Sequence, residues 1–394
     1  MNAVMKKQVI LVDMVSHGQM HLPFNEGYIK AVALAYPDKD ITFAACKDHV
    51  RNLQQQIGRI ENVKYEIIPS FDELLEGKSY HSPIYGRSAA KYYIRWLRLN
   101  FNLRNVDLLT ILGARSSVIH AMKTFWKKMP GMCHYLQHNQ LGISMDWRSR
   151  NPIERYFDYI SVLKRGLPSN QKLIVLELGL DEVILDIAPA MKGSIEVIEH
   201  PVLQSEWMPP TNPNPERPIK VAFLGHCGRG KGFDTFCALA KKFSSSNLEF
   251  YAIGKENKAQ AADFDTSGLT LTPHKTHLAR EKFVELLGQM DLVCLPLPSS
   301  VSYVSSGSII DAFAAAKPLI TSTNQSHRAI EQKYGEFGIL AAERNEYEAF
   351  FSALSEAPQA ALANYEKWKK NAITIRQSRG EAEIAKRLNE LCGY

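Results

Sequence analysis

KVAFLGHCGRGKGFDTFCALAKKF, residues 220 to 243, runs from an apolar strand pattern through four glycines into a helical pattern. A continuous apolar run bounded by turn residues is the mark of a strand covered on both faces, and a helix directly after it is one repeat of an open parallel sheet. The same alternation continues toward the C-terminus with LEFYAIG (248 to 254), LTLTP (269 to 273), DLVCLPL (291 to 297), PLITS (318 to 322) and FGIL (337 to 340). Toward the N-terminus it is found in QVILVD (8 to 13), ITFAAC (41 to 46), YEIIP (65 to 69), DLLTILG (107 to 113), HYLQH (134 to 138), LIVLEL (173 to 178) and SIEVIEH (194 to 200). Between the two series, Pro209, Pro210, Pro213 and Pro215 fit an extended, helix-free connection. The expected fold is therefore α/β, with two Rossmann-like, doubly wound parallel-sheet domains. The expected division is 1–203, a linker at 204–218, a second domain at 219–364, and a closing helix at 365–394.

The bulk composition agrees. A chain of 394 residues suits two domains of roughly 150 to 200 residues. With 45% hydrophobic and 22% charged residues, the balance is that of a globular protein and excludes disordered and fibrous classes. The net charge of +6 favours anionic partners. Six widely spaced cysteines without a C-x-x-C pair are expected to be reduced core thiols, which suits a cytoplasmic address. No apolar run approaches the ~20 residues that span a bilayer, so neither a signal peptide nor a membrane span is expected.

In such sheets ligands gather at the carboxyl ends of strands. After the strand ending at Gly225 come His226, Cys227, Gly228, Arg229, Gly230, Lys231 and Gly232. Glycines let backbone N–H groups approach an anion, a helix N-terminus favours negative charge, and Arg229 or Lys231 can neutralise phosphate. The order is not the P-loop pattern, because Gly232 follows Lys231. A second candidate follows the strand at 291 to 297: Ser305, Ser306, Gly307 and Ser308 open a helix whose N-terminal amides and hydroxyls suit a diphosphate. Asp311, one turn in, is placed to accept hydrogen bonds from ribose hydroxyls.

Together the two segments resemble the retaining GT-B glycosyltransferases of the large family four type (glycosyl transferases group 1), bacterial surface-glycan members included. Gly225, the five-residue step from His226 to Lys231-Gly232, and the strand start Lys317-Pro318 carry the resemblance. It covers most of the second half and, more weakly, the first. His226 stands where the family has Arg, and Tyr303 stands where its E-x7-E segment has the first Glu, with Asp311 as the second acid. The resemblance implies that Gly18, in the loop Ser16 to His21, offers a backbone donor to the diphosphate, and that His138 faces the donor sugar. It also implies that the last helix crosses back to the first, acceptor-side domain. The implied reaction moves a sugar from a nucleoside-diphosphate sugar to a glycan or lipid-linked acceptor. Lys231, Arg229 and the amides of 305 to 308 would stabilise the leaving diphosphate without a metal or further cofactor.

Two acid triplets, Asp38-Lys39-Asp40 and Asp263-Phe264-Asp265, mimic a D-x-D metal motif but read as solvated turns. Between Glu76 and Asp107 there is no acid, and residues 87 to 104 interleave Arg87, Lys91, Arg95, Arg98 and Arg104 with Tyr92, Tyr93, Trp96 and Phe101. Such a segment suits peripheral contact with an anionic membrane, or a plain basic surface helix. No RNP, KH or zinc-finger signature points to nucleic acid. A sugar-nucleotide epimerase of the same shape, or a catalytically silent nucleotide-sugar-binding scaffold, are the alternative readings.

Overall fold

The computed structural model describes residues 6–77, 83–138, 140–146, 151–209, 212–214, 216–298, 303, 305–341 and 347–392. The chain divides into two compact units, Met1–Pro201 with Glu381–Tyr394, and Val202–Gly380.

The first unit is built on a seven-stranded sheet: β1 (Gln8–Asp13), β2 (Asp40–Ala45), β3 (Val63–Ile67), β4 (Val106–Leu112), β5 (Met132–Gln137), β6 (Gln171–Val175) and β7 (Ile195–Val197). All neighbours are parallel, in the order β3-β2-β1-β4-β5-β6-β7. Val9 to Val12 of β1 are fully buried, as a central strand with helices on both faces requires. Because β2 lies on one side of β1 and β4 on the other, the chain reverses its winding there, which opens a crevice at the carboxyl end of β1. The loop from Met14 to His21 stands in that position. Helix Leu22–Ala35 follows it and buries Tyr28, Ile29 and Val32 on the sheet.

The second unit carries β8 (Ile219–Cys227), β9 (Leu248–Glu256), β10 (Leu292–Leu295), β11 (Leu319–Thr321) and β12 (Gly338–Leu340), all parallel, in the order β12-β11-β10-β8-β9. Its winding reverses between β8 and β10. The loops leaving those two strands therefore flank the crevice, and they are the two loops singled out for phosphate chemistry.

Three expectations are corrected. Residues 269–273 form no strand; only the bridges Tyr251 to Leu271 and Lys255 to His274 are made. None of the five residues is buried, so no covered face holds them in a ladder. The connection after the first domain is not wholly helix-free, since Gln204–Glu206 make a 3-10 turn that belongs to the second unit. Pro210 and Pro215 lie outside the described residues. Finally, 365–394 is not one crossing helix. Helix Tyr347–Ser378 stays with the second unit, where Trp368 and Ile375 are buried, and a break at Arg379 and Gly380 precedes helix Glu381–Cys392.

Only this last helix belongs to the first unit. Ile384, Ala385 and Leu388 enter the same core as Tyr28, Val32 and Tyr36, and the Tyr36 hydroxyl donates to the Leu388 carbonyl at 3.3 Å. Burying Ile384 and Leu388 stabilises the unit by roughly 1.5 to 3 kcal/mol each. All six cysteines are free thiols, five of them buried. Among the described residues no helix is long and apolar enough to cross a membrane.

Candidate nucleotide site

The end of β8 and the turn after it are shaped by backbone geometry that favours glycine. Gly225 has φ +93 and Gly232 φ +74, and a Cβ on Gly232 would sit 1.8 Å from the Pro296 carbonyl oxygen. Gly232 thus lets this turn press against the start of the loop after β10. Arg229 to Lys231 form a 3-10 turn, and helix Phe233–Lys242 follows.

The glycine-rich sequence suggests a nest of free amides, but the structure uses several of them internally. The N–H of Gly228 donates to His226, those of Lys231 and Phe233 to Gly228, that of Gly232 to Arg229, and that of Arg229 to the Gln260 side chain at 3.0 Å. What the turn presents is therefore mainly charge. Lys231 reaches across to the second loop, where Nζ donates to Ser306 Oγ at 3.2 Å. Burial lowers the Lys231 pKa, and the neighbouring Asp311 carboxylate works against that shift.

Arg229 behaves differently. Its side chain is 56% exposed, and the guanidinium pairs with Asp263 at 3.2 Å, close to the Phe264 ring. An exposed pair of this kind contributes little, and it directs Arg229 to the Asp263 turn while Lys231 meets Ser306. Asp265 pairs with Lys241, so the acidic triplet 263 to 265 is engaged by surface cations. His226 is exposed; local desolvation, then Lys255, His277 and Lys231, lower its pKa.

Ser306 is the N-cap of helix Gly307–Ala314, yet its side chain makes no capping bond and faces Lys231 instead. The first amides of a helix have no intrahelical partner, so this terminus offers donors toward the lysine. Above Gly307 a Cβ would meet nothing within 4 Å. Ser308 is otherwise occupied, its hydroxyl donating to the Leu224 carbonyl at 2.9 Å and tying the helix to β8. Ser305 precedes the cap, and Tyr303 is partly buried in a turn. Residues 299–302 and 304 lie outside the described residues.

Asp311 shows a partner that the sequence reading missed. Arg280 donates to Asp311 Oδ1 at 2.8 Å and, through Nε, to Glu206 at 2.6 Å. Burial raises the Asp311 pKa, and the Arg280 charge opposes it. The guanidinium thus orients the carboxylate one turn into the helix. Lys317 is also not a surface cation: its Nζ donates to the Gly288 carbonyl at 3.0 Å, and burial brings its pKa down to about 8.

In the first unit, His138 closes β5 and is buried. Its ring stacks on His21 with centroids 4.5 Å apart and meets the Phe24 edge at 4.4 Å. Burial, then His21 and His200, hold its pKa well below the usual histidine value, so it is a neutral imidazole at pH 7. Gly18 has φ +51, and its N–H donates to Asp48 Oδ2 at 2.8 Å. The backbone donor expected of Gly18 is therefore already bonded within the first unit.

The family described as glycosyl transferases group 1 matches residues 218–359, which hold both loops. Among curated proteins none matches the sequence. Solved structures do match over nearly the whole length. Sucrose-phosphate synthase of Thermosynechococcus elongatus has a TM-score of 0.66 at 15% identity, covering 98% of each chain. The Anabaena protein HepE, solved with UDP and glucose, has a TM-score of 0.64 at 12% identity, covering 98% of this chain and 99% of the other. WaaG, a glycosyltransferase involved in lipopolysaccharide biosynthesis, gives the same TM-score, identity and coverage.

The chain has the GT-B fold. Within that fold the second unit's site lies in the segment that the family matches.

Proposed function

We propose that the protein is a glycosyltransferase of polysaccharide or glycoconjugate biosynthesis, moving a sugar from a nucleoside-diphosphate sugar to a glycan or lipid-linked acceptor. The observation that carries this reading is the Lys231 ammonium bonded to Ser306 at the open end of helix Gly307–Ala314. A cation and a helix N-terminus that converge on one point suit a diphosphate.

In the proposed reaction the acceptor hydroxyl oxygen bonds to the anomeric carbon as the bond to the diphosphate oxygen breaks, and the hydroxyl proton leaves with the diphosphate. Charge builds on the leaving group, where Lys231 and the helix amides stabilise it more in the transition state than in the ground state. This chemistry needs no metal from the protein and suits retention. The roles of His138 at the donor sugar and of Gly18 at the diphosphate rest on the resemblance alone, and that of Arg229 at the phosphates on its charge and its place in the glycine-rich turn.

The test is release of nucleoside diphosphate from a panel of nucleotide sugars, with and without oligosaccharide or lipid-linked acceptors. Acceptor-stimulated release from one donor is the expected result. Interconversion of the sugar without release, or binding without turnover, would overturn the reading.

Asp311→Asn is expected to weaken nucleoside-diphosphate binding by about 1 to 3 kcal/mol, because a charged acceptor for ribose hydroxyls is lost. Calorimetry that gives equal affinity for parent and variant would remove Asp311 from the ribose.

A peripheral membrane contact is proposed for residues 87–104. Lys91, Arg95 and Arg98 are exposed on helix Pro83–Asn100, beside exposed Tyr92 and Leu99, while Tyr93 and Leu97 are buried. Replacing the three cations together by Gln is expected to reduce sedimentation with anionic vesicles, since each contributes roughly 1 kcal/mol near such a surface. Equal sedimentation would leave an ordinary surface helix.

A further inference from the structure

At the carboxyl ends of β1 and β2, the loop that holds Ser16 to His21 meets the start of helix Lys47–Ile57. Three chemically different donors come together there. They are Nδ1 of partly buried His17, Sγ of buried Cys46 and a carboxylate oxygen of exposed Asp48, with ligand atoms all within 4.8 Å of one another.

The surroundings of the sulfur are unusual for a thiol. Asp48 Oδ1 lies 2.7 Å from Cys46 Sγ, the Ser16 carbonyl oxygen 3.0 Å, and His17 Nδ1 3.8 Å. A thiol has one proton to donate, yet two acceptor oxygens converge on it. A cation in place of that proton satisfies the sulfur, the carboxylate and the ring nitrogen together. One thiolate, one imidazole and one carboxylate are the donor set of a borderline-soft cation, and they do not suit magnesium or calcium, which take oxygen ligands.

The groups behind these donors are arranged for the same task. On the far side of the His17 ring, Asp72 Oδ2 lies 3.9 Å from Nε2, beyond hydrogen-bond length but on the side from which a carboxylate orients a metal-bound histidine. Asp48 is steadied by two backbone amides, Gly18 N–H on Oδ2 at 2.8 Å and His49 N–H on Oδ1 at 2.9 Å.

We propose that His17, Cys46 and Asp48 form a binding site for a divalent cation of the zinc class. With three protein ligands the site leaves a coordination position for water or another ligand. The cation ties the loop after β1 to the head of helix Lys47–Ile57 and fixes Gly18 in its left-handed conformation. This role is independent of the leaving-group chemistry assigned to Lys231, and it stands or falls without it.

The full chain, stripped with a chelator, is to be titrated with zinc chloride and, separately, with cobalt chloride. The expected result is one equivalent bound per chain and a thiolate-to-cobalt charge-transfer band. Cys46→Ala abolishes that band. Asp48→Asn, at an exposed position, weakens zinc binding by more than the loss in Asp72→Asn, which is expected to be roughly 10- to 100-fold. Circular dichroism checks that each metal-free variant is folded, and Asp48→Asn carries the test should Cys46→Ala fail to fold. Less than stoichiometric binding by the parent overturns the site, as does a cobalt band that survives in Cys46→Ala or zinc affinity unchanged in Asp48→Asn.

Discussion

Replacing Lys231 with alanine is expected to lower kcat for sugar transfer by roughly 100- to 1,000-fold, the scale on which removal of one preorganised charge-stabilising group acts. The side chain is held in a tight turn between β8 and helix Phe233–Lys242, with its ammonium on Ser306 Oγ at 3.2 Å. It is thus placed before the donor arrives, and little reorganisation is needed as charge develops. The fold depends on it far less. Its loss removes one side-chain hydrogen bond, about 1 kcal/mol, whereas the turn itself is set by Gly232 and by the amide bonds at Gly228 and Arg229. Steady-state kinetics with a thermal melt of the same sample decide the matter. A variant with parent kcat and unchanged donor affinity would take Lys231 out of the reaction.

The second large effect is on stability at acid pH. His134 lies inside β5, in register with Thr110 of β4 and Lys172 of β6, and neither ring nitrogen has a hydrogen-bond partner among the described residues. Burial, with a smaller contribution from Lys172, brings its pKa from 6.5 down to about 4. The folded value is the lower one. As pH falls below 6.5 the unfolded chain takes up a proton that the folded protein refuses, and stability is lost until the folded value is passed. This one residue costs about 2 kcal/mol between pH 7.5 and 5. His21 and His138, whose pKa values are also lowered first by burial, act with the same sign. His134→Leu removes the titrating ring from a buried position where neither of its nitrogens is bonded and should flatten the pH dependence measured by chemical denaturation. An equally steep profile in the variant would assign the acid sensitivity elsewhere.

The strands that were legible in the sequence are those whose two faces are both covered. VAFL in β8 and VILV in β1 are apolar without a break because nothing on either side faces water. LTLTP has β-favouring residues but buries none of them, so local propensity had no packing to support it. The site shows a similar division. Lys231, Ser306 and Asp311 were marked by their place after strands and at a helix start, which are local signals. Arg280 and Glu206 carried none: one opens an ordinary helix, the other sits beside a proline-rich stretch, and only the fold brings them to a shared ion pair. The glycine-rich turn suggests free amides because sequence shows where a backbone is unhindered, not which partner its N–H groups have found. The cluster of His17, Cys46 and Asp48 was equally hidden, since its residues come from a loop and from the start of a helix some thirty residues on and follow no ligand spacing.

The position of helix Glu381–Cys392 also orders events during synthesis. Ile384, Ala385 and Leu388 complete the core around Tyr28 and Val32, although the sheet they cover is made from the first 201 residues. While the ribosome translates Val202–Gly380, the outer face of helix Leu22–Ala35 has no cover. That unit, continuous in sequence, is the one free to close as it emerges. The first unit, begun earlier, is finished last, and its apolar face stays uncovered until Ile384, Ala385 and Leu388 are made.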